Sequence, residues 1–337
     1  MKKRRWMKYM SVISLAGLAL LATLLMNAQV LAPSAPQTPP AIQGETIADS
    51  KEVDTTEEKK EEQAVSVPDE KKEETSNAEP PPTGLVQVEQ AASGVNQAKI
   101  QELQTKLENL IHTEYQAGGK AAVCAGKANE NDMAIINSAP MQAASLIKLY
   151  VAGCVYENYD AVGKQDSYNG ETAALLSEMI TVSDNTACNT LVTRLGAGDA
   201  QKGMDLVNAY CTNHGFPDTH MGRLMLQPNT IDDNYTSASD CCKYLKMIYA
   251  NQLEGSFDIR NYLNKQERRG KIPAGIPSDI TVGNKTGELS DVENDAAIVY
   301  SPNGVYVLCV MSEDLADTYE ARQFIIKLSK ATYEAMQ

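Results

Sequence analysis

The sequence predicts an α/β fold of the α+β kind, with one antiparallel sheet formed by both ends of the folded region, flanking helices and an all-helical subdomain. Three observations carry this. Strand-like apolar runs occur just after residue 119 and again beyond residue 280, while the residues between them read as successive helices. No internal repeat runs through residues 97–337. No second Pro-rich or charged tract interrupts them either, so they form a single domain.

The chain of 337 residues opens on a basic cluster (Lys2, Lys3, Arg4, Arg5, Lys8) followed by an uncharged, mostly apolar run through Val12, Leu15 and Leu18 to Met26. That is the layout of an export signal, and residues 1–32 read as a signal peptide or a retained membrane anchor. Residues 33–96 are Pro-, Glu- and Lys-rich, with 14 acidic against 5 basic side chains. They read as a disordered, self-repelling linker that sets distance from the membrane. The expected location is extracytoplasmic, secreted or tethered to the outer face of the cytoplasmic membrane.

In the folded region Ile100, Leu103, Leu107, Leu110 and Ile111 recur at helical spacing, giving an opening helix that ends near Gly118-Gly119. Two short strands follow, Lys120 to Ala125 and Met133 to Asn137, joined by a polar turn at Asn129-Glu130-Asn131-Asp132. Ser145 to Tyr156 is apolar nearly all round, as expected of a helix buried on every side. Further helices are expected at 170–180, 185–195, 200–213 and 237–251. Strands return at 280–284, 295–300 and 304–311, and a last helix runs from Thr318 to Ala335.

Residues 97–337 hold 20 basic and 30 acidic side chains, a balance that argues against nucleic acid as a partner. The seven cysteines are an odd number, which leaves at least one unpaired, and none lies in a CxxC or Cys/His spacing that would make a metal site. With only His112, His214 and His220 present, neither a metal nor another cofactor is expected.

Ser145 and Lys148 stand three residues apart, on neighbouring positions of one helix face. A serine nucleophile needs a base, and lysine serves if burial and nearby cations lower its pKa. The helix start also aims backbone N–H groups at developing negative charge. Alone, an S-x-x-K is expected about once in a chain of this size. Ser183-Asp184-Asn185 follows 38 residues later, and Lys285-Thr286-Gly287 another 102 residues on. All three in this order arise by chance in well under about 1% of such chains.

In these motifs the sequence resembles the serine β-lactamase and penicillin-binding superfamily, and most closely the class A β-lactamases. The resemblance covers about 97–337, including Ser183-Asp184-Asn185-Thr186-Ala187, Gly283-Asn284 and Asn294-Asp295, and implies the β-lactamase/transpeptidase-like fold. It implies Ser145 as the acylated nucleophile, Lys148 as its proton acceptor and Ser183 as the relay to the leaving nitrogen. Asn185 would hold the substrate's amide side chain and fix Lys148, and Lys285 and Thr286 would hold its carboxylate. Backbone N–H groups of Ser145 and Glu288 would form the oxyanion hole, with Gly287 allowing close approach of the strand edge.

The implied activity is a serine hydrolase, foremost a β-lactamase. A D-alanyl peptidase or esterase of the cell envelope, or a non-hydrolytic penicillin- or peptidoglycan-binding protein, stands as the alternative. The implied partner is a small-molecule β-lactam or a peptidoglycan-derived peptide, taken by a monomer. The membrane enters only through an uncleaved N-terminal segment.

Two departures bear on this. Class A enzymes carry a water-activating glutamate in an R-x-E-x-x-L-N-like loop, and here Arg223-Leu224-Met225-Leu226-Gln227-Pro228-Asn229 has Met225 in its place. Arg223 and Asp233 are expected to pair across the loop base, with Gln227, Asn229 and Asp232 as the side chains available to position water. Glu288 also places a negative charge beside the K-T-G strand, facing either the substrate or solvent.

Overall fold

The computed structural model describes residues 83–337, with side chains from residue 96 onward. The signal or anchor reading of residues 1–32 and the linker reading up to residue 82 lie outside the described residues. The first helix, α1 (Thr83–Glu114), begins inside the stretch that composition assigns to the linker. No proline follows Pro82 until Pro140, so nothing in between forces a break.

The chain continues through β1 (Lys120–Lys127), β2 (Ala134–Ile136) and β3 (Met141–Gln142). A single 3-10 turn, Ala144–Leu146, leads into α2 (Ile147–Glu157), whose residues from Ile147 to Val155 are all buried. Next come α3 (Tyr159–Gly163), α4 (Glu171–Thr181), α5 (Asn185–Leu195), α6 (Ala200–Asn213), β4 (Tyr235–Thr236) and α7 (Ala238–Tyr249). The last third holds α8 (Ser256–Asn264), a 3-10 turn at Ile272–Gly275, β5 (Val282–Leu289), β6 (Val292–Val299), β7 (Tyr306–Glu313) and α9 (Thr318–Ala335).

Five strands form one antiparallel sheet in the order β2-β1-β7-β6-β5. The early strands therefore join the late ones, with Cys124 opposite Cys309 at the seam. The sheet is covered on both faces, and successive side chains sort accordingly. Val307, Cys309 and Met311 of β7 face the helical subdomain, while Tyr306, Leu308 and Val310 face α1 and α9 through Leu107, Phe324 and Leu328. Burial on both sides is why β7 reads as an unbroken apolar run. Each fully buried Leu or Phe contributes about 1.5–3 kcal/mol.

Three differences from the sequence reading have physical causes. The strand expected at 280–284 runs on to Leu289, so K-T-G lies inside β5 rather than ending it. Gly287 is tolerated there because β5 is an edge strand approached by another backbone. Ser145 sits on the 3-10 turn and not in the first α-helical turn. The helix α8 was not expected, since it is short and starts after Gly255, whose φ of 70° supplies no side-chain cap. All seven cysteines are buried free thiols.

Candidate active site

The S-x-x-K serine is placed by the strand pair just before it. Ala143 N–H donates to Asn234 O at 2.8 Å beyond the β3–β4 ladder, and Leu146 N–H donates back to Ala143 O at 3.0 Å. Ala144, immediately before Ser145, is held at φ 47°. Such a conformation costs about 1–3 kcal/mol and persists only when the surroundings fix it. Gly287 is part of that fixing, because a Cβ there would stand 2.7 Å from Ala143 O and 3.3 Å from Leu146 N. The K-T-G strand thus lies directly against the turn bearing Ser145.

Ser183 is also held at positive φ, 63°, and Asp184 behind it caps α5 by accepting from Ala187 N–H at 2.7 Å. This cap turns the Ser183 hydroxyl toward two lysines. Lys148 Nζ lies 3.2 Å from Ser183 Oγ, 2.6 Å from Ser183 O and 2.7 Å from Asn185 Oδ1. Lys285 Nζ donates to the same Oγ at 2.8 Å and to Thr286 O at 2.8 Å. Both amines are wholly buried. Burial lowers the pKa of Lys148 to about 8, with Arg268 pushing the same way and Asp184 opposing. Burial, then the charges of Lys148 and Arg268, holds Lys285 well below the ordinary lysine value.

Ser145, Lys148, Ser183, Asn185, Lys285, Thr286, Gly287 and Glu288 therefore converge from a 3-10 turn, two helices and one edge strand. Ser145 Oγ carries no protein hydrogen bond among the described residues. Glu288 does not stand as a lone negative charge: its carboxylate contacts Lys271 Nζ at 3.1 Å and Arg268 Nη1 at 3.2 Å. Despite partial burial, these cations hold its pKa below the usual glutamate value. Behind β5, Asp295 accepts from Asn284 Nδ2 and Ile272 N–H, each at 2.9 Å, and burial raises its carboxyl to about 6.

The loop after S-D-N closes on the expected pair, with Arg223 Nε 2.6 Å from Asp233 Oδ1. Asp233 also accepts from Gln142 Nε2 and Asn229 Nδ2. Met225 is buried, and Asn189 grips its backbone by both groups, accepting from Met225 N–H at 2.8 Å and donating to Met225 O at 3.1 Å. The position that would carry a water-activating carboxylate thus presents a thioether. Of the alternatives, Asn229 is bound to Asp233 and Asp232 to His220 Nε2 at 2.6 Å. Gln227 lines a cavity of about 360 Å³ with Gln142, Arg223 and Asn229. A larger cavity, about 580 Å³, lies away from these residues, between the β1–β2 turn and α7.

Sequence reasoning passed over Asn189, Asn234, Arg268 and Lys271. Asn189 follows Asn185 by four positions, on the same face of α5, which was the available signal. The other three act across turns that only the tertiary structure brings together. Among the described residues no group of His, Cys, Asp and Glu is arranged to hold a metal ion.

Residues 164–336 match the beta-lactamase enzyme family (Beta-lactamase2). No curated protein matches the chain. Among solved structures it is similar to a β-lactamase from Sphaerobacter thermophilus DSM 20745, with 21% identity over 71% of this chain and 97% of that one, at a TM-score of 0.59. It is similar to an ancestral (GNCA) class A β-lactamase, with 21% identity over 69% and 99% of the two chains and a TM-score of 0.60. It is likewise similar to a mutant of PBP-A in an acyl-enzyme complex with penicillin G, with 22% identity over 70% and 96% and a TM-score of 0.60. The family match takes in the S-D-N and K-T-G motifs and covers half of the sequence, and the chain belongs to the beta-lactamase enzyme family.

Proposed function

We propose that the protein opens the β-lactam amide through an acyl-enzyme on Ser145 and releases the acyl group slowly. The observation that carries this is the convergence of two buried lysines on Ser183 Oγ, one of them Lys148, three residues after Ser145. With a pKa of about 8, Lys148 is neutral in about a tenth of molecules at neutral pH, enough to act as a base. Ser145 Oγ attacks the carbonyl carbon as its proton passes to Lys148, directly or through water. Ser145 N–H and Glu288 N–H hold the oxyanion. As the C–N bond breaks, Ser183 gives its proton to the leaving nitrogen and is reprotonated from the lysine side. Asn185 takes the amide side chain, and Lys285 and Thr286 favour a carboxylate beyond the scissile bond.

Slow release is supported by Met225, whose buried thioether takes up no proton from water. The same feature favours a second reading, a D-alanyl peptidase or esterase or a non-hydrolytic binder of the cell envelope, in which β-lactams trap Ser145. The PBP-A mutant similar to this chain was captured as an acyl-enzyme with penicillin G, which supports the acylation half of both readings. The basic and apolar residues of 1–32 support a place outside the cytoplasmic membrane.

The test mixes the purified full-length protein with a chromogenic cephalosporin and follows colour and intact mass together. Slow but sustained colour with an adduct visible in the steady state supports the proposal. A stoichiometric colour burst with a permanent adduct favours the second reading. No adduct, with Ser145→Ala indistinguishable from wild type, removes both.

A further inference from the structure

The acylation chemistry uses none of the seven cysteines, and four of them meet at one place. Cys124 of β1 stands opposite Cys309 of β7 in the sheet, and both side chains face the helical subdomain. The helix packed on that face is α7, which brings the adjacent Cys241 and Cys242, both wholly buried. Neighbours on a helix point about 100° apart, so the two thiols take different partners. Cys241 lies against Cys309, with Tyr150 Oη at 3.6 Å and Thr236 Oγ1 at 3.8 Å. Cys242 turns toward β1, where its Sγ donates to Cys124 O at 3.1 Å and lies against the Cys124 thiol.

Access separates the two pairs. The cavity of about 580 Å³ between the β1–β2 turn and α7 has Cys124 and Cys242 in its wall, and neither Cys241 nor Cys309. A space of that size takes a small molecule. Burial holds the Cys242 thiol well above its ordinary pKa, so little of it is thiolate and its attack on a disulfide is slow.

We propose that Cys242 and Cys124 form a thiol–disulfide exchange site, which a small disulfide reaches through this cavity. The Cys242 thiolate attacks one sulfur of that disulfide and forms a mixed disulfide. The first small thiolate leaves and takes up the proton that Cys242 lost. Cys124, as thiolate, then attacks Cys242 Sγ and closes the Cys124–Cys242 bond, while the second small thiolate leaves and takes up the proton from Cys124. Two protein thiols are oxidised, and one small disulfide is reduced to two thiols. The new bond ties α7 to β1, and it stands independently of the acylation reading.

The experiment holds folded full-length protein for hours with 2-hydroxyethyl disulfide, then denatures it, alkylates the remaining thiols and maps the peptides by mass. The expected product has lost two of the seven thiols to one linked pair of peptides, containing Cys124 and Cys242. Cys241→Ala should give the same link, which assigns the bond to Cys242 and not to its neighbour. Cys124→Ala should stop at the mixed disulfide, with one mercaptoethanol unit added at Cys242. The link should raise the melting temperature by about 5 °C or more, since it joins residues 118 apart in the sequence.

If every thiol survives in the folded protein and is lost only in urea, the cavity gives no access and the proposal is overturned. It is also overturned if the link contains Cys309, Cys154, Cys188 or Cys211, or if Cys241→Ala abolishes it. A melting temperature that falls on oxidation would show that the two thiols are not set to join in the native fold, and overturns it as well. The map of the unsubstituted protein decides the matter where a variant fails to fold.

Discussion

Lys285 Nζ donates to Ser183 Oγ across 2.8 Å, joining two motifs 102 residues apart in the sequence. Lys148 reaches the same oxygen from the other side at 3.2 Å. With both lone pairs of Ser183 accepting, its own proton is the one directed elsewhere. Removing either amine disturbs the relay differently. Lys148→Ala is expected to lower the acylation rate by at least about 10²-fold through loss of the base. Lys285→Ala is expected to raise the apparent dissociation constant for anionic substrates as well as slow acylation. Rapid-quench mass measurement of adduct formation against concentration separates the two.

Acylation should climb with pH and level off above about pH 8, because the reactive form of Lys148 is the neutral amine and burial lowers its pKa to about 8. A pH–rate profile of adduct formation checks this. A profile that falls through this range would show that the protonated amine is required.

Gly287→Ala should leave the sheet formed but impair the site. The added Cβ meets Ala143 O at 2.7 Å, so the turn carrying Ser145 must move away from β5 and the two oxyanion donors separate. A displacement of this size costs about 10²-fold in acylation rate. Circular dichroism and adduct formation, measured on one preparation, distinguish a displaced site from a lost fold.

Met225→Glu is expected to shorten the lifetime of the acyl-enzyme by about tenfold or more, since a carboxylate there supplies general-base activation of water. Asn189 fixes the backbone on which the new side chain stands. The same substitution should lower thermal stability, because it buries a carboxyl in place of a thioether. The decay of the adduct after removal of excess β-lactam gives the lifetime directly.

Asp295 links the K-T-G strand to pH through stability. Burial raises its folded pKa to about 6, above the unfolded value of 3.8, so the folded state binds the extra proton between these values. Its contribution therefore favours folding at low pH and is lost as pH rises through about 6. Asp295→Asn should flatten that part of the stability profile. It should also cost about 1–3 kcal/mol, as an amide cannot accept from both Asn284 Nδ2 and Ile272 N–H. Melting temperatures across this pH range provide the check.

How much of this was legible beforehand depended on the range of the interaction. Ser145, Lys148, Ser183, Asn185 and Lys285 announce themselves because their chemistry requires fixed residue types at fixed short spacings. The strand β7 was readable as an apolar run, and the Arg223–Asp233 pair was implied by the family resemblance. The extent of β5 was not, because Gly287 looks like a terminator until the Ala143 carbonyl is seen against it. Nor was the neutralisation of Glu288, since Lys271 and Arg268 lie on a loop with no local pattern tying them to the strand. The clamp of Asn189 on Met225 likewise joins α5 to a loop 36 residues away.

The central claim is that Ser145 becomes covalently acylated, and peptide mapping after exposure to a β-lactam tests it most directly. The expected result is a mass increment equal to the whole β-lactam on the peptide containing Ser145, formed faster at pH 8 than at pH 6 and absent from Ser145→Ala. An increment on any other residue, or equal labelling of Ser145→Ala, would contradict it.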